Sequence, residues 1–170
     1  MVDRALIDNL SLQARDFALR WKELIRKSPQ LKHYNGMSDE ALTAANTLLY
    51  PLLARTLDRG LDRAAVGDFF VRLGKERMGE GFPVSEVIYA MNLAEQTVIG
   101  YLMTDFVLDS TSRMYQAMGA VNRTAEFFLL GCFYVTKGFL EATYTEMNRI
   151  DSVSEDLLKK YFKDDFFFKT

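Results

Sequence analysis

The chain of 170 residues is 49% hydrophobic and 26% charged, which is enough apolar material for one buried core, so we expect a single domain. Its 21 basic and 23 acidic residues are spread along the chain and give a net charge of −2. This balance lacks the single-sign field that attracts nucleic acid or anionic lipid, which argues against a nucleic-acid-binding role.

Helices are predicted for almost the whole chain. Apolar residues recur at helical spacing, only three prolines are present, and no stretch alternates apolar and polar residues as a half-buried strand does. The first helix is predicted over residues 3–27 and ends before Pro29. A loop follows, and Ser38 with two acidic residues behind it predicts the start of a second helix.

The second helix reaches residue 59, and Pro51 inside it predicts a kink or a division into two shorter helices. A third helix is predicted over residues 62–79. The segment GEGFP ends that helix and starts a fourth one, which runs from residue 84 to about 108. Because this link is short, helices three and four are expected to form an antiparallel hairpin.

The longest helical pattern covers residues 112–148 and contains the apolar run FFLLGCFYV at 127–135. This run is too short to insert into a membrane, since a span takes roughly 20 residues. A helix that is apolar on all sides is surrounded by protein, so the run is expected to be the centre of the bundle, and the pattern leaves open that a second subunit closes one side. Gly131 and Gly138 share one face, where they are tolerated packing sites or a dimer seam.

These elements predict an all-α fold, a single helical bundle of five to seven helices over residues 1–150 with a long, buried C-terminal central helix. Residues 151–170 are expected to add a short amphipathic helix and an aromatic tail. Exposed phenylalanines promote aggregation, so Phe166, Phe167 and Phe168 are expected to pack on their own bundle, on a second subunit or on another protein. They are the candidate partner-binding residues.

The sequence contains no recognisable catalytic or metal-binding constellation. The one histidine, His33, stands in a predicted loop, so zinc sites, catalytic triads and haem ligation lack their parts. The lone Cys132 excludes an internal disulfide and is expected to be a small buried hydrophobe. Residues 1–20 lack the pattern of a signal peptide. We therefore expect a cytoplasmic protein without enzymatic activity, cofactor or metal.

Two charged residues interrupt apolar helix faces: Arg77 in the third predicted helix and Glu95 in the fourth. A buried charge is costly unless it is paired, so each is expected to be a structural anchor with a partner or part of a ligand-binding pocket. Tyrosine hydroxyls would complete such a pocket, unless the tyrosines belong to the core. The candidates are Tyr50, Tyr89, Tyr101 and Tyr134.

The stretch LGKERMGEGFPVSEVIYAMNLAEQTVIGYL, residues 73–102, resembles the N-terminal domain family of the RsbT co-antagonist RsbRD. The residues that carry the likeness are Leu73, Gly74, Arg77, Gly81, Pro83 and Val84. The resemblance implies an all-helical, bacterial, cytoplasmic sensory or regulatory domain that usually precedes an output module such as a STAS domain or a histidine kinase. Few residues follow Arg149, so a stand-alone module or a fragment that acts by binding is expected here, rather than direct antagonism of an RsbT-like kinase.

Two hypotheses for the function follow. In the first, a signalling domain binds a small molecule or a protein partner of a signalling pathway, with Arg77 or Glu95 in a mostly apolar pocket, and passes on a shift between its helices. In the second, an adaptor binds its partner through the phenylalanine tail and has no small-molecule site. Deletion of residues 161–170 separates them, because it abolishes partner binding only in the second.

Overall fold

The computed structural model describes residues 4–104, 111–150 and Ser154, and all regular structure in this part of the chain is helical. The prediction of an all-α fold with a long C-terminal helix is confirmed. In chain order, the helices are α1 (Arg4–Leu12), α2 (Ala14–Arg26), α3 (Lys32–Asn35), α4 (Asp39–Thr47), α5 (Leu49–Arg59), α6 (Arg63–Gly79), α7 (Val84–Thr104) and α8 (Thr111–Met147).

The chain divides into two compact units. The first unit comprises Met1–Asp62 and Tyr89–Leu129, and the second comprises Arg63–Ile88 and Leu130–Thr170. Helices α7 and α8 therefore each contribute residues to both units. The single domain expected over residues 1–150 stays a prediction.

The core of the first unit is built around Phe17 of α2. Its ring centroid lies 5.2 Å from the ring centroids of both Tyr50 and Tyr101. Each tyrosine hydroxyl accepts a hydrogen bond from an asparagine amide, from Asn46 over 2.8 Å and from Asn9 over 3.0 Å. Because each phenolic oxygen has a hydrogen-bond partner, both rings can be buried without an unsatisfied hydroxyl group.

Trp21, one turn after Phe17, connects α2 to α7 inside the first unit. Its indole Nε1 donates a hydrogen bond to the carbonyl oxygen of Ala90 over 2.7 Å, and its ring makes an edge contact with Tyr34 of α3. A buried indole N–H needs an acceptor, and this one finds it on a neighbouring helix. The bond therefore fixes the position of α2 along α7.

The second predicted helix is divided at Leu48 into α4 and α5, which confirms one of the two outcomes expected from Pro51. Proline has no N–H to donate to the carbonyl oxygen of Thr47, four residues earlier, and α4 ends at that residue. Ser38 caps α4 as predicted, because its hydroxyl oxygen accepts from the backbone N–H of Ala41 over 3.2 Å. The first predicted helix is also interrupted, at Gln13, where neither proline nor glycine marks the site.

In the second unit, α6 and α8 approach until their backbones touch. A Cβ atom added to Gly74 would overlap the carbonyl oxygen of Val135, and one added to Gly138 would overlap that of Val71. Only glycine leaves room for such an approach, so Gly138 is a packing site within the chain, which is one of the two alternatives given above. Beside the crossing, the buried carboxylate of Glu141 is paired with Lys75, with 2.6 Å between Nζ and Oε2.

Helix α6 ends with a Schellman motif in the link that leads to α7. Gly81 adopts a positive φ of 80°, its N–H donates to the carbonyl oxygen of Met78, and the N–H of Phe82 donates to that of Arg77. The positive φ explains why a glycine is needed at this position. The carbonyl of Pro83 then accepts from the N–H groups of the first turn of α7.

The run FFLLGCFYV is less completely buried than predicted. Phe127, Phe128 and Val135 are buried, whereas Leu129 exposes 72% and Phe133 exposes 53% of its surface. The expectation that the run lies at the centre of the bundle therefore holds for its buried residues, and Leu129 and Phe133 lie on a side that the sequence left open to a second subunit. Apolar character on every side of a helix shows that no face is polar, but it does not require that every face meets the same chain.

Candidate functional site

The first unit exposes a line of large apolar side chains along α8. The exposed fractions are 43% for Met114, 69% for Tyr115, 54% for Met118 and 72% for Leu129. We call these four residues the outer face of α8. Single exposed apolar residues are ordinary, but several on one side of a helix make that side a candidate binding surface.

The opposite side of α8 packs into the first unit. Its buried residues there are Ala117, Ala120, Thr124, Phe127 and Phe128. Small residues in the first half and two phenylalanines in the second therefore face the core, and the phenylalanine rings contact each other at 5.3 Å. The outer face therefore lies away from the packed side of α8 in this unit.

Four of the six predicted ligand-binding residues lie in the first unit, and one of them is Tyr101, whose contacts in the core are described above. Tyr50 is fully buried and bonded to Asn46, and burial raises the pKa of its hydroxyl, so it belongs to the core. Tyr89 exposes 37% of its surface. Glu95 is half-buried, burial raises the pKa of its carboxyl group, and among the described residues no hydrogen bond or ion pair to it is found.

Arg77, another predicted ligand-binding residue, lies in the second unit and is held there by contacts with its own chain. Its guanidinium group is paired with the carboxylate of Glu80 and lies over the ring of Phe82, 5.0 Å from the centroid. Both partners belong to the turn that ends α6. These contacts match the anchor expected in the sequence, and a role for Arg77 in ligand binding stays a prediction.

Three surface grooves of the first unit are lined by other residues. The largest, of about 490 Å³, lies between α2 and α4, and Arg15, Lys22, Asp39 and Glu40 are among its lining residues. Lys22 and Arg26 donate hydrogen bonds to Asp39, each over 2.8 Å, and these bonds hold the pKa of its carboxyl group below the ordinary value. The charges of this groove are partly neutralised inside the chain, so it offers no single-sign site for a charged ligand.

The other two grooves flank Gly60, at the C-terminal end of α5. One has Arg55, Arg59 and Asp62 among its lining residues, and the other has Arg123 and Glu126. Both mix acidic and basic side chains. An open groove of mixed charge differs from the largely apolar, enclosed pockets that usually hold small ligands.

Three further points concern the aromatic tail, metal binding and membrane insertion. Phe166, Phe167 and Phe168 lie outside the described residues, so partner binding by the tail stays a prediction. Within residues 4–104 and 111–150, no group of histidine, cysteine, aspartate and glutamate side chains could hold a metal ion. No helix in the same ranges is long and apolar enough to cross a bilayer.

The outer face of α8 was not identified from the sequence, although a signal was present. Tyr115, Met118 and Leu129 are apolar, yet they lie away from the stripe of buried residues on the same helix. A helix with two apolar stripes needs two sets of neighbours. From the sequence, the core of the bundle was expected to cover the apolar excess, and a second subunit was left open for one side only.

Comparison with known proteins gives one match. The family model described as the RsbT co-antagonist protein rsbRD N-terminal domain matches residues 15–131. The match includes residues 73–102, on which the resemblance was based. No curated protein and no solved structure matches the chain.

Proposed function

Since the chain belongs to the family of RsbT co-antagonist protein rsbRD N-terminal domains, we propose that it is a non-enzymatic regulatory domain of a bacterial signalling pathway, acts in the cytoplasm, and works by binding protein. A second copy of the chain is one of its partners in this proposal. The regulatory role in this proposal is inferred from the family. The mode of action is supported by the surface of the first unit.

The outer face of α8 is the observation that supports protein binding. Apolar atoms gain free energy when they leave water, at roughly 25 cal/mol per Å² of buried surface. Tyrosine and methionine are also enriched in protein interfaces, where charged residues are depleted. Met114, Tyr115, Met118 and Leu129 fit this composition, and all four expose more than a third of their surface. A small polar ligand would leave most of this surface in water.

A second candidate, binding of a small molecule, is supported by Glu95. A carboxyl group that is half-buried without a protein partner can be neutralised or paired by a ligand. Tyr89 is exposed on the same helix, and its part in ligand binding stays a prediction. Arg77 and Tyr50 contribute less, because contacts within the chain already occupy them.

Native mass spectrometry of the full 170-residue chain, purified gently from its own host, distinguishes the two candidates. A dimer without a bound small molecule is expected from protein binding. One small molecule per chain, lost in the Glu95→Ala variant, would instead establish the sensor function. A monomer without ligand at every concentration measured would contradict self-association.

A further inference from the structure

The exposed side of α8 in the first unit has the spacing of a coiled-coil seam. Residues 115, 118, 122, 125 and 129 follow one another at intervals of three, four, three and four. This spacing has a period of 3.5 residues and keeps one line of side chains facing a second helix. We call Tyr115, Met118, Asn122, Ala125 and Leu129 the seam. Its line is distinct from the stripe of buried residues on the same helix.

The immediate surroundings of the seam leave space for another helix. A Cβ atom added to Gly119 would meet no other helix within 4 Å among the residues that the structure describes. The packing of this chain would therefore accept alanine at position 119. Glycine inside a helix lowers stability by about 1 kcal/mol relative to alanine. A helix that packs closely against α8 would make use of the missing side chain.

Charges beside the seam indicate the identity of the partner. Arg123 and Glu126 are both exposed, lie on the same flank of the seam, and have opposite charge. The Nη1 atom of Arg123 donates to the carbonyl oxygen of Leu57 over 3.0 Å, which ties this side chain to α5. The seam itself carries no charge, so a second copy of it is not repelled.

We propose that two copies of the chain pair through α8, with the two helices antiparallel and a two-fold axis between Asn122 and Ala125. This inference rests on the proposed function, because it names the surface by which the chain binds itself. Met118 then lies opposite Leu129 of the second copy, and Asn122 lies opposite its Ala125. The interface is isologous, as expected for a two-fold dimer.

The antiparallel direction follows from the charges. A two-fold axis perpendicular to both helices places the same flank of each helix together. With a rise of 1.5 Å per residue, Arg123 and Glu126 of the second copy are then about 3 Å apart along the helix axis, and the pair occurs twice. In a parallel pair the opposite flanks meet, and Glu126 faces the flank of Val121 and Phe128, where no basic residue lies.

Cysteine cross-linking of the full chain tests the pairing. In a Cys132→Ser background, Met118→Cys and Leu129→Cys are made as separate variants. After oxidation, a mixture of the two is expected to give a covalent dimer, because a disulfide needs Cβ atoms about 3.5–4.5 Å apart. Met118→Cys alone is expected to stay monomeric on a denaturing gel, since its two copies lie about 16 Å apart along the helix axis. Cross-linking of Met118→Cys to itself would overturn the antiparallel arrangement.

A charge introduced into the seam provides the second test, by sedimentation. Leu129→Glu is expected to raise the dimer dissociation constant by about 30-fold or more, as at the centre of other interfaces. The matched control is Leu12→Glu, because Leu12 of α1 is 82% exposed and lies outside α8. A dimer that neither variant weakens and that gives no cross-link would overturn pairing through α8 but leave the proposed function intact. A monomeric wild-type chain would overturn the pairing and the self-association in the proposed function, but it would not overturn binding of another protein.

Discussion

The two units of the chain bring helices together in opposite ways. In the first unit, large aromatic side chains fill the space between helices, with Phe17 between Tyr50 and Tyr101. In the second unit, α6 and α8 meet at Gly74 and Gly138, where side chains are absent and the backbones touch. The first arrangement is stabilised by buried apolar area. The second is stabilised by van der Waals contacts between the two backbones, which a side chain larger than hydrogen at either glycine would prevent. A substitution should therefore destabilise the first unit by removing side-chain volume and the second unit by adding it.

The largest expected effect comes from removing the central ring of the first unit. Phe17→Ala should lower the free energy of unfolding by about 3–5 kcal/mol, because it removes buried area and leaves a cavity between two tyrosine rings. Urea denaturation followed by circular dichroism measures the change. Phe133→Ala is the matched control, since Phe133 is 53% exposed and should lose much less. Equal losses in the two variants would show that Phe17 is not a packing centre.

Adding a single methyl group tests the second unit. Gly138→Ala should lower the free energy of unfolding by about 1–3 kcal/mol, because the new Cβ atom overlaps the carbonyl oxygen of Val71 and the helices must separate. Gly100→Ala in α7 is the control with the same chemical change, since a Cβ atom there meets nothing within 4 Å.

The two glycine variants are expected to change stability in opposite directions. Alanine at position 100 should stabilise the chain by roughly 0.5–1 kcal/mol, the usual difference between the two residues inside a helix. The difference between the variants, measured by urea denaturation, isolates the close approach of α6 and α8 from helix propensity. If Gly138→Ala stabilises the chain as much as Gly100→Ala does, the backbones do not touch in solution.

Much of the secondary structure was predictable because it depends on local signals. Ser38 predicted a helix start, Pro51 predicted a division, and Gly81 in the segment GEGFP predicted a turn, and each acts through its own backbone or its nearest neighbours. Gly138 was also identified, because glycine within a long apolar helix is unusual. Its partner Gly74 was not, since the sequence shows that a helix can approach but not which helix does so.

The candidate site was harder to predict because burial depends on tertiary contacts. Apolar periodicity shows which sides of α8 avoid water, but not whether the same chain or another molecule covers them. Leu129 and Phe128 are neighbours in one apolar run, yet Leu129 is exposed and Phe128 is buried. Arg77 could be recognised as a charge that needs a partner, and its partners Glu80 and Phe82 lie only three and five residues away.

The smallest expected effect concerns Glu95. It is a half-buried glutamate in the first unit, whereas Glu141 is a buried and paired glutamate in the second. Burial raises the pKa of Glu95 above its ordinary value of 4.5, so the folded state favours the protonated carboxyl group. The stability that this group contributes is therefore present below pH 4.5 and is lost as the pH rises through the folded-state pKa. Glu95→Gln keeps the neutral form at every pH. Its gain over the wild type in unfolding free energy should be near zero in acid and increase towards neutral pH.

Urea denaturation at several pH values measures the gain of Glu95→Gln, and Glu23→Gln on the exposed side of α2 is the control. A gain that increases with pH for Glu95→Gln alone would show that the carboxylate is desolvated and lacks the kind of partner that Lys75 gives Glu141. The same variant also bears on ligand binding. In protein purified with a bound small molecule, the free energy of unfolding of Glu95→Gln is compared with that of the wild type. A lower value for Glu95→Gln would show that the ligand pairs with the charged carboxylate of Glu95, because only then is the loss of the charge unfavourable. A flat difference across the pH range would instead place Glu95 in water.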